Sequence, residues 1–288
     1  MLNFFVKAHG LGNEYIVLES GQVSFKMTSA AIQKICNVHY GIGSDGILLK
    51  VPSTIAEFGL RIFNPDGSEA EKSGNGLRIF SKYLYDYGHT DRKKFTIETR
   101  GGVVTSHVTE ERAGRAKMIK VEMGKANFIS AEIPVKFDKK ECFGEELIIE
   151  GKIFVIYCVS VGNPHCIIFT DVLEENEIKH FGPLIENHSM FPNRINVQFV
   201  KVISENEAEI LIWERGAGYT LASGSSSSAV VSVLVKKCLT KRKISVKMPG
   251  GILLLEIAED WNIQMTGEVK EVAFGTLSEE LVYDLLKL

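Results

Sequence analysis

The sequence lacks most of the features that mark a secreted, membrane-bound or nucleic-acid-binding protein. Its opening, Met1 to Gly10, meets Lys7 after a few apolar residues and has neither the apolar core nor the small-residue cleavage site of a secretory signal. Ala229 to Val235, one of the longest apolar stretches, is far too short to span a bilayer. No basic stripe offers a footprint for phosphate backbones, and the formal net charge is -3 with both signs interspersed. The five cysteines (Cys36, Cys142, Cys158, Cys166 and Cys238) are odd in number, scattered, and form no C-x-x-C pair, so neither a disulfide framework nor a zinc site is expected. The seven histidines show no H-E-x-x-H spacing. These absences predict a cytoplasmic protein with no metal, no nucleic-acid partner and no membrane partner.

What is present is ordinary globular material. With 45% hydrophobic and 24% charged residues the chain is not disordered, and 288 residues suit two domains that each bury a core. Leu2 to Leu18 is β-rich and broken by His9-Gly10-Leu11-Gly12-Asn13. Thr28 caps an amphipathic helix carrying Ile32, Ile35, Cys36 and Val38, and a glycine turn at 41–46 leads into a strand, Ile47 to Val51. Gly59 to Phe63 ends in the turn Asn64-Pro65-Asp66-Gly67, and a helix follows from about Gly76. Short strands then dominate, and after a weakly patterned stretch near 131–146 the pattern begins again. A second helix is predicted from about Ser225 to Lys236, and three further strand-like runs close the chain. Many short strands with few helices predict an α+β fold rather than alternating βαβ units.

One internal comparison outweighs any single motif. Asn64 starts a polar turn and Ser73-Gly74-Asn75-Gly76 follows nine residues after it; Glu214 starts another, and Ser223-Gly224-Ser225-Ser226 again follows nine residues after it. Each segment begins as an apolar strand and ends by opening a helix. A flexible serine linker would not run straight into Ala229-Val230-Val231, so the spacing reads as a duplicated unit. Two helix N-termini aimed at one ligand would offer unpaired N–H groups and positive dipole ends to a carboxylate. Racemising an amino acid without a cofactor needs one base on each face of the α-carbon, a symmetry the duplication would supply.

At these residues the chain resembles the diaminopimelate epimerase family over essentially its whole length. The resemblance is carried by 9–13, Gly41-Ile42-Gly43-Ser44-Asp45-Gly46, 61–69, 73–76, Gly162-Asn163-Pro164-His165, Arg194-Ile195-Asn196-Val197 and Trp213-Glu214-Arg215-Gly216-Ala217-Gly218. It implies two pseudo-symmetric domains, 1–123 (joined by 271–288) and 124–270, with the active site in the cleft between them. It implies PLP-independent interconversion of LL- and meso-diaminopimelate, in lysine biosynthesis, by a two-base mechanism. Carried over by position, Asn64, Asn196, Glu214 and Arg215 would hold the distal end of the substrate and Asn13 and Asn163 would line the cleft. Gly74, Asn75, Gly224 and Ser225 would present backbone donors to the reacting carboxylate. His165 reads as a structural histidine. The expected partner is the small amino-acid substrate, with a homodimer as a candidate assembly.

The sequence departs from the family at the centre, because both catalytic cysteine positions are occupied by serine, Ser73 and Ser223. A thiol has a pKa of about 8.5 and is tunable towards neutrality, whereas a hydroxyl is a far weaker acid. The chain is therefore expected to be an inactive Cys-to-Ser form, engineered or natural, and retention of the other site residues favours engineering. The alternatives are a racemase of another amino acid, such as histidine, on the same fold, or a non-catalytic amino-acid-binding protein.

Overall fold

In the computed structural model, which describes Leu2–Leu288, alternation along the first residues becomes a hairpin of β1 (Phe4–Gly10) and β2 (Asn13–Glu19). Leu11 and Gly12 turn between them with φ of 58° and 89°. The chain continues through α1 (Ser29–Cys36), β3 (Ile47–Val51), β4 (Phe58–Phe63), β5 (Glu69–Ala70) and α2 (Gly74–Asp86). Then follow β6 (Lys94–Thr99), β7 (Gly102–Arg112) and β8 (Arg115–Lys125). The second half holds β9 (Phe143–Ile149), β10 (Lys152–Ser160), β11 (Pro164–Phe169), α3 (Glu175–Glu186), β12 (Asn196–Ser204), β13 (Glu207–Glu214) and β14 (Gly218–Thr220). It ends with α4 (Gly224–Lys236), β15 (Lys243–Met248), β16 (Gly251–Ile257) and β17 (Asn262–Glu268), before β18 (Lys270–Thr276) and α5 (Glu279–Leu285). The fold is α+β. The chain divides into two units: residues up to Val121 with Gly267–Leu288, and Glu122–Thr266.

The units share one wiring. In the first, β18, β1, β2, β3, β4, β6 and β7 are hydrogen-bonded in that order; only β2–β3 and β4–β6 are parallel, and β5 shares an edge of β4 with β6. In the second, β9, β10, β11, β12, β13, β15 and β16 repeat the order; only β11–β12 and β13–β15 are parallel, and β14 shares the edge of β13. The parallel pairs need crossovers, and α1, α2, α3 and α4 provide them.

Each unit is organised around one buried helix. Every residue of α2 from Gly74 to Leu84 is buried, as is nearly all of α4 up to Leu234; α4 accordingly carries no charge before Lys236, whereas α2 buries Arg78 and Lys82. Leu77, Phe80 and Leu84 are essentially inaccessible, and each contributes roughly 1.5–3 kcal/mol by burial. The serines of α4 do not weaken it: Ser227, Ser228 and Ser232 donate to the carbonyls of Ser223, Gly224 and Ser228 one turn back, so no hydroxyl among them is stranded. Both helices end alike. Gly88 (φ 71°) and Cys238 (φ 56°) take the left-handed conformation, and the following N–H groups of His89 and Leu239 reach Leu84 O and Leu234 O.

Three local differences from the sequence reading have physical causes. α2 and α4 begin at Gly74 and Gly224, two residues and one residue earlier than expected respectively, because the serine before each is the cap. β7 and β8 reach 11 residues each, longer than the short strands expected here, because Ala113-Gly114 closes them as a tight hairpin. The chain ends in a helix rather than a strand: Ser278 accepts from Leu281 N, Glu279 and Glu280 sit in the first turn, and Leu285 is buried.

Candidate active site

Two helix starts stand out, one in each unit. Ser73 caps α2 with φ, ψ of -140°, 119° and accepts from Gly76 N at 3.0 Å. Ser223 caps α4 with -145°, 126° and accepts from Ser226 N at 3.3 Å. The helices are 13 residues each and the caps lie 150 residues apart in sequence. The same offset relates Asn13 to Asn163, Tyr15 to His165, Asn64 to Glu214, Asn75 to Ser225 and Arg78 to Ser228. Space at the first turn is tight: a Cβ on Gly76 would sit 2.9 Å from a Leu48 methyl.

Around the first start, the buried Asn75 donates from Nδ2 to Asn13 Oδ1 at 3.1 Å, and Asn13 donates to Asp45 Oδ2 at 3.0 Å. Glu14 N also donates to Asp45. The Tyr15 hydroxyl lies 3.3 Å from Ser73 Oγ. Asn64 closes its own turn, donating to Ser68 Oγ at 2.9 Å, while its carbonyl accepts from Gly67 N. Arg78, one turn into α2, is wholly buried and hydrogen-bonded to Asn75 Oδ1 and Glu268 O.

Around the second start the neighbours differ. Ser223 Oγ is 3.3 Å from Ser225 Oγ, and the buried Gln198 donates to Ser226 Oγ at 3.0 Å. Gln198 Oε1 is 3.3 Å from His165 Nδ1, whose other nitrogen is 2.9 Å from Asn163 Oδ1. Burial drives the His165 pKa down from its usual 6.5 to about 3, with the Arg215 charge adding to the effect against the Gln198 hydrogen bond. The ring is neutral, so it carries one proton and donates to only one of these two amide oxygens. Glu214, at the end of β13, has its carboxyl pushed up by burial, while the Ser223 hydroxyl pulls the other way.

The loop carrying Glu214 and Arg215 is held from behind. Asn196 donates to Pro164 O at 2.7 Å and accepts from Arg215 N at 2.9 Å, so its amide spans two site segments. The Arg215 guanidinium is exposed and bonds Asn193 O at 3.0 Å. Glu186 accepts from Trp213 Nε1 (2.7 Å), Gly216 N (3.0 Å) and Arg194 Nη1 (3.1 Å). The structure thus places Asn13, Asn64, Ser73, Gly74 and Asn75 in one unit and Asn163, Asn196, Glu214, Arg215, Ser223, Gly224 and Ser225 in the other. Sequence reasoning missed Arg78, Glu186 and Gln198. Charged or amide residues within amphipathic segments read as solvent-facing, and only the internal offset of 150 marks Arg78, by setting it against a serine.

A family model described as Diaminopimelate epimerase matches residues 5–129 and 157–272, one stretch in each repeat. "Diaminopimelate epimerase 2" of Nostoc sp. is 51% identical over 278 residues, covering 96% of both chains. The diaminopimelate epimerase of Caldanaerobacter subterraneus is 46% identical over 275 residues, covering 95% of this chain and 98% of its own. The chain belongs to the diaminopimelate epimerase family. The fold reaches further than the family. A probable proline racemase from Agrobacterium radiobacter aligns with a TM-score of 0.72 at 12% identity over 96% of this chain and 93% of its own. A predicted epimerase from Pseudomonas aeruginosa aligns with 0.65 at 17% identity over 96% and 99%. No helix among the described residues is long and apolar enough to cross a membrane.

Proposed function

We propose that this member of the diaminopimelate epimerase family binds diaminopimelate in the cytoplasm, and that serine at positions 73 and 223 leaves it without turnover. The observation that carries the reading is the matched pair of caps: two serines with nearly equal dihedrals, each at the start of a buried helix and each engaged by the N–H three residues on. In this reading the free N–H groups at Gly74, Asn75, Gly224 and Ser225 receive the reacting carboxylate. The Glu214 carboxylate suits a distal ammonium, and the Arg215 fork suits a distal carboxylate. Asn13, Asn64, Asn163 and Asn196 complete the lining.

Epimerisation in this scheme is proton removal from one face of the α-carbon and return from the other. A cysteine at each cap supplies a thiolate to take the proton and a thiol to give one. A serine keeps the shape and the cap while its hydroxyl stays protonated. The test follows deuterium incorporation and stereoisomer ratio in heavy water for the four combinations of serine and cysteine at 73 and 223. Ser73→Cys with Ser223→Cys should restore stereoinversion, and either single change should not, so the two effects are strongly non-additive. Robust epimerisation by the double-serine chain would sink the two-thiol mechanism. A double revertant that exchanges the α-proton of histidine and leaves diaminopimelate untouched would move the substrate to another amino acid.

A further inference from the structure

Arg78 is a fully buried guanidinium with no carboxylate partner among the described residues. Its nitrogens reach one amide oxygen, Asn75 Oδ1, and one backbone carbonyl, Glu268 O, while Nε is buried with no hydrogen bond at all. Burying an unpaired charge is among the costliest things a fold can do. The fold nevertheless makes room for it: a Cβ on Gly10 would sit 3.2 Å from Arg78 Nη2. At the equivalent place in α4 the residue is Ser228, which bonds its own helix and needs nothing from outside.

The guanidinium also sets the polarity of the amide it bonds. An arginine can only donate, so Asn75 turns its oxygen inward and its N–H outward. That N–H goes to Asn13 Oδ1, which in turn commits the Asn13 N–H to Asp45. A one-way chain of donors therefore runs from a buried cation through two residues of the proposed binding site to a surface carboxylate. The second helix start has no such chain.

We propose that Arg78 is the positioning residue of the first helix start: its uncompensated charge orients Asn75 and Asn13 and biases the Ser73–Gly76 turn towards an anion, the carboxylate of an amino acid or a thiolate at position 73. The assignment of that carboxylate to diaminopimelate rests on the function proposed above; the effect on a thiolate does not. Burial lowers the Arg78 pKa only to about 10, so the group is charged at neutral pH. The guanidinium bonds the side chain of Asn75, two residues beyond Ser73, and at an effective dielectric of about 20 a unit charge within about 10 Å moves a neighbouring ionisation by about one pH unit. The other ionisable groups of this unit around the turn are Tyr15, His9, Glu14 and Asp45, with Glu71 and Lys72 on the chain leading into it. They are common to every variant below and cancel.

The experiment titrates thiolate absorbance in the single variants Ser73→Cys and Ser223→Cys, with the signal of the chain's own five cysteines subtracted. Adding Arg78→Gln, which keeps a donor for Asn75 and removes the charge, should raise the thiol pKa at position 73 by about one unit or more. The thiol at 223 should stay where it was. Arg78→Lys, which keeps the cation, should restore most of the low value. Calorimetry on the double-serine chain should show diaminopimelate binding at least about tenfold weaker with Arg78→Gln. An unchanged thiol at 73, or thiols at 73 and 223 moving together, would overturn the proposal. So would an Arg78→Lys thiol at 73 raised by about one unit or more above that of the Ser73→Cys chain, a comparison that does not need the glutamine variant to fold. A normal thiol shift in a chain that binds no diaminopimelate would leave Arg78 in its role and remove the substrate assignment instead.

Discussion

The two helix starts are alike in backbone and opposite in charge. One turn into the first helix lies a buried cation, Arg78; beside the second lies Glu214, a carboxylate whose protonation burial favours. The caps agree to within a few degrees, the helices have equal length, and both close with a left-handed residue. Duplication has kept what the backbone must do and let the side chains at the 150-residue offset diverge: Tyr15 against His165, Asn75 against Ser225, Arg78 against Ser228. Backbone geometry of this kind supplies anion-binding donors twice, whereas the local field distinguishes one turn from the other. In the two-base scheme proposed above, that difference sets which of the two positions more readily holds its proton.

The comparison can be broken most visibly with acid. His165 in the second unit is held neutral, with its pKa lowered to about 3 from 6.5, while its counterpart Tyr15 gains no charge on acidification. Between those two values the unfolded chain binds a proton that the folded chain refuses, so stability rises with pH across the window and falls as pH drops below 6.5. At pH 5 the loss from this group is about 2 kcal/mol. His165→Gln should flatten that part of the profile, as read by urea unfolding at pH 5 and pH 7; an unchanged difference between the two pH values would show that the ring is not held neutral.

A smaller effect of defined sign sharpens the charge contrast. The Glu214 pKa is raised in the folded state, so its ionised form costs stability above the folded pKa, and the cost disappears as pH falls through the carboxylate range. Glu214→Gln should therefore stabilise the free protein at pH 7, the gain being reduced because the Ser223 contact already offsets part of the cost. The same change should weaken binding of a ligand with a distal ammonium. A variant less stable at pH 7 than its parent would argue that Glu214 is well compensated where it sits.

The smallest effect concerns the helix ends. Gly88 adopts the left-handed region freely, but Cys238 adopts it with a Cβ. Cys238→Gly should add about 0.5–1 kcal/mol, and Gly88→Ala should remove a similar amount, both measurable as shifts in the thermal midpoint. Equal responses of the same sign at the two positions would deny that the ends are equivalent.

Much of this architecture is legible in the sequence. The nine-residue spacing from Asn64 to Ser73 and from Glu214 to Ser223 located both helix starts, because capping is a local contract between a side chain and an N–H three residues on. The α+β class followed from the density of short strands. What stayed hidden depends on contacts distant in sequence. Arg78 looks like an exposed helix residue until the sheet of its own unit is wrapped around α2. Glu186 looks like one more charge on an acidic helix until Trp213 and Gly216 arrive from β13 and the loop beyond it. Asn196 read as a ligand contact, and the structure shows its amide spanning Pro164 and Arg215. The final helix was readable in principle from Ser278-Glu279-Glu280, but its apolar face is too short to declare itself.

The Glu186 carboxylate gives the molecule an optical handle. It takes the indole N–H of Trp213 in the same grip as Gly216 N, so the emission of that tryptophan is tied to the position of the loop bearing Glu214 and Arg215. The only other tryptophan, Trp261, packs edge-on against Phe128 and lies under the Arg242 guanidinium, on a different part of the same unit. An indole bonded to a carboxylate emits from a different electrostatic setting than a free one. The loop proposed to grasp the far end of the ligand therefore carries its own fluorophore, and its motion is readable in the unlabelled protein.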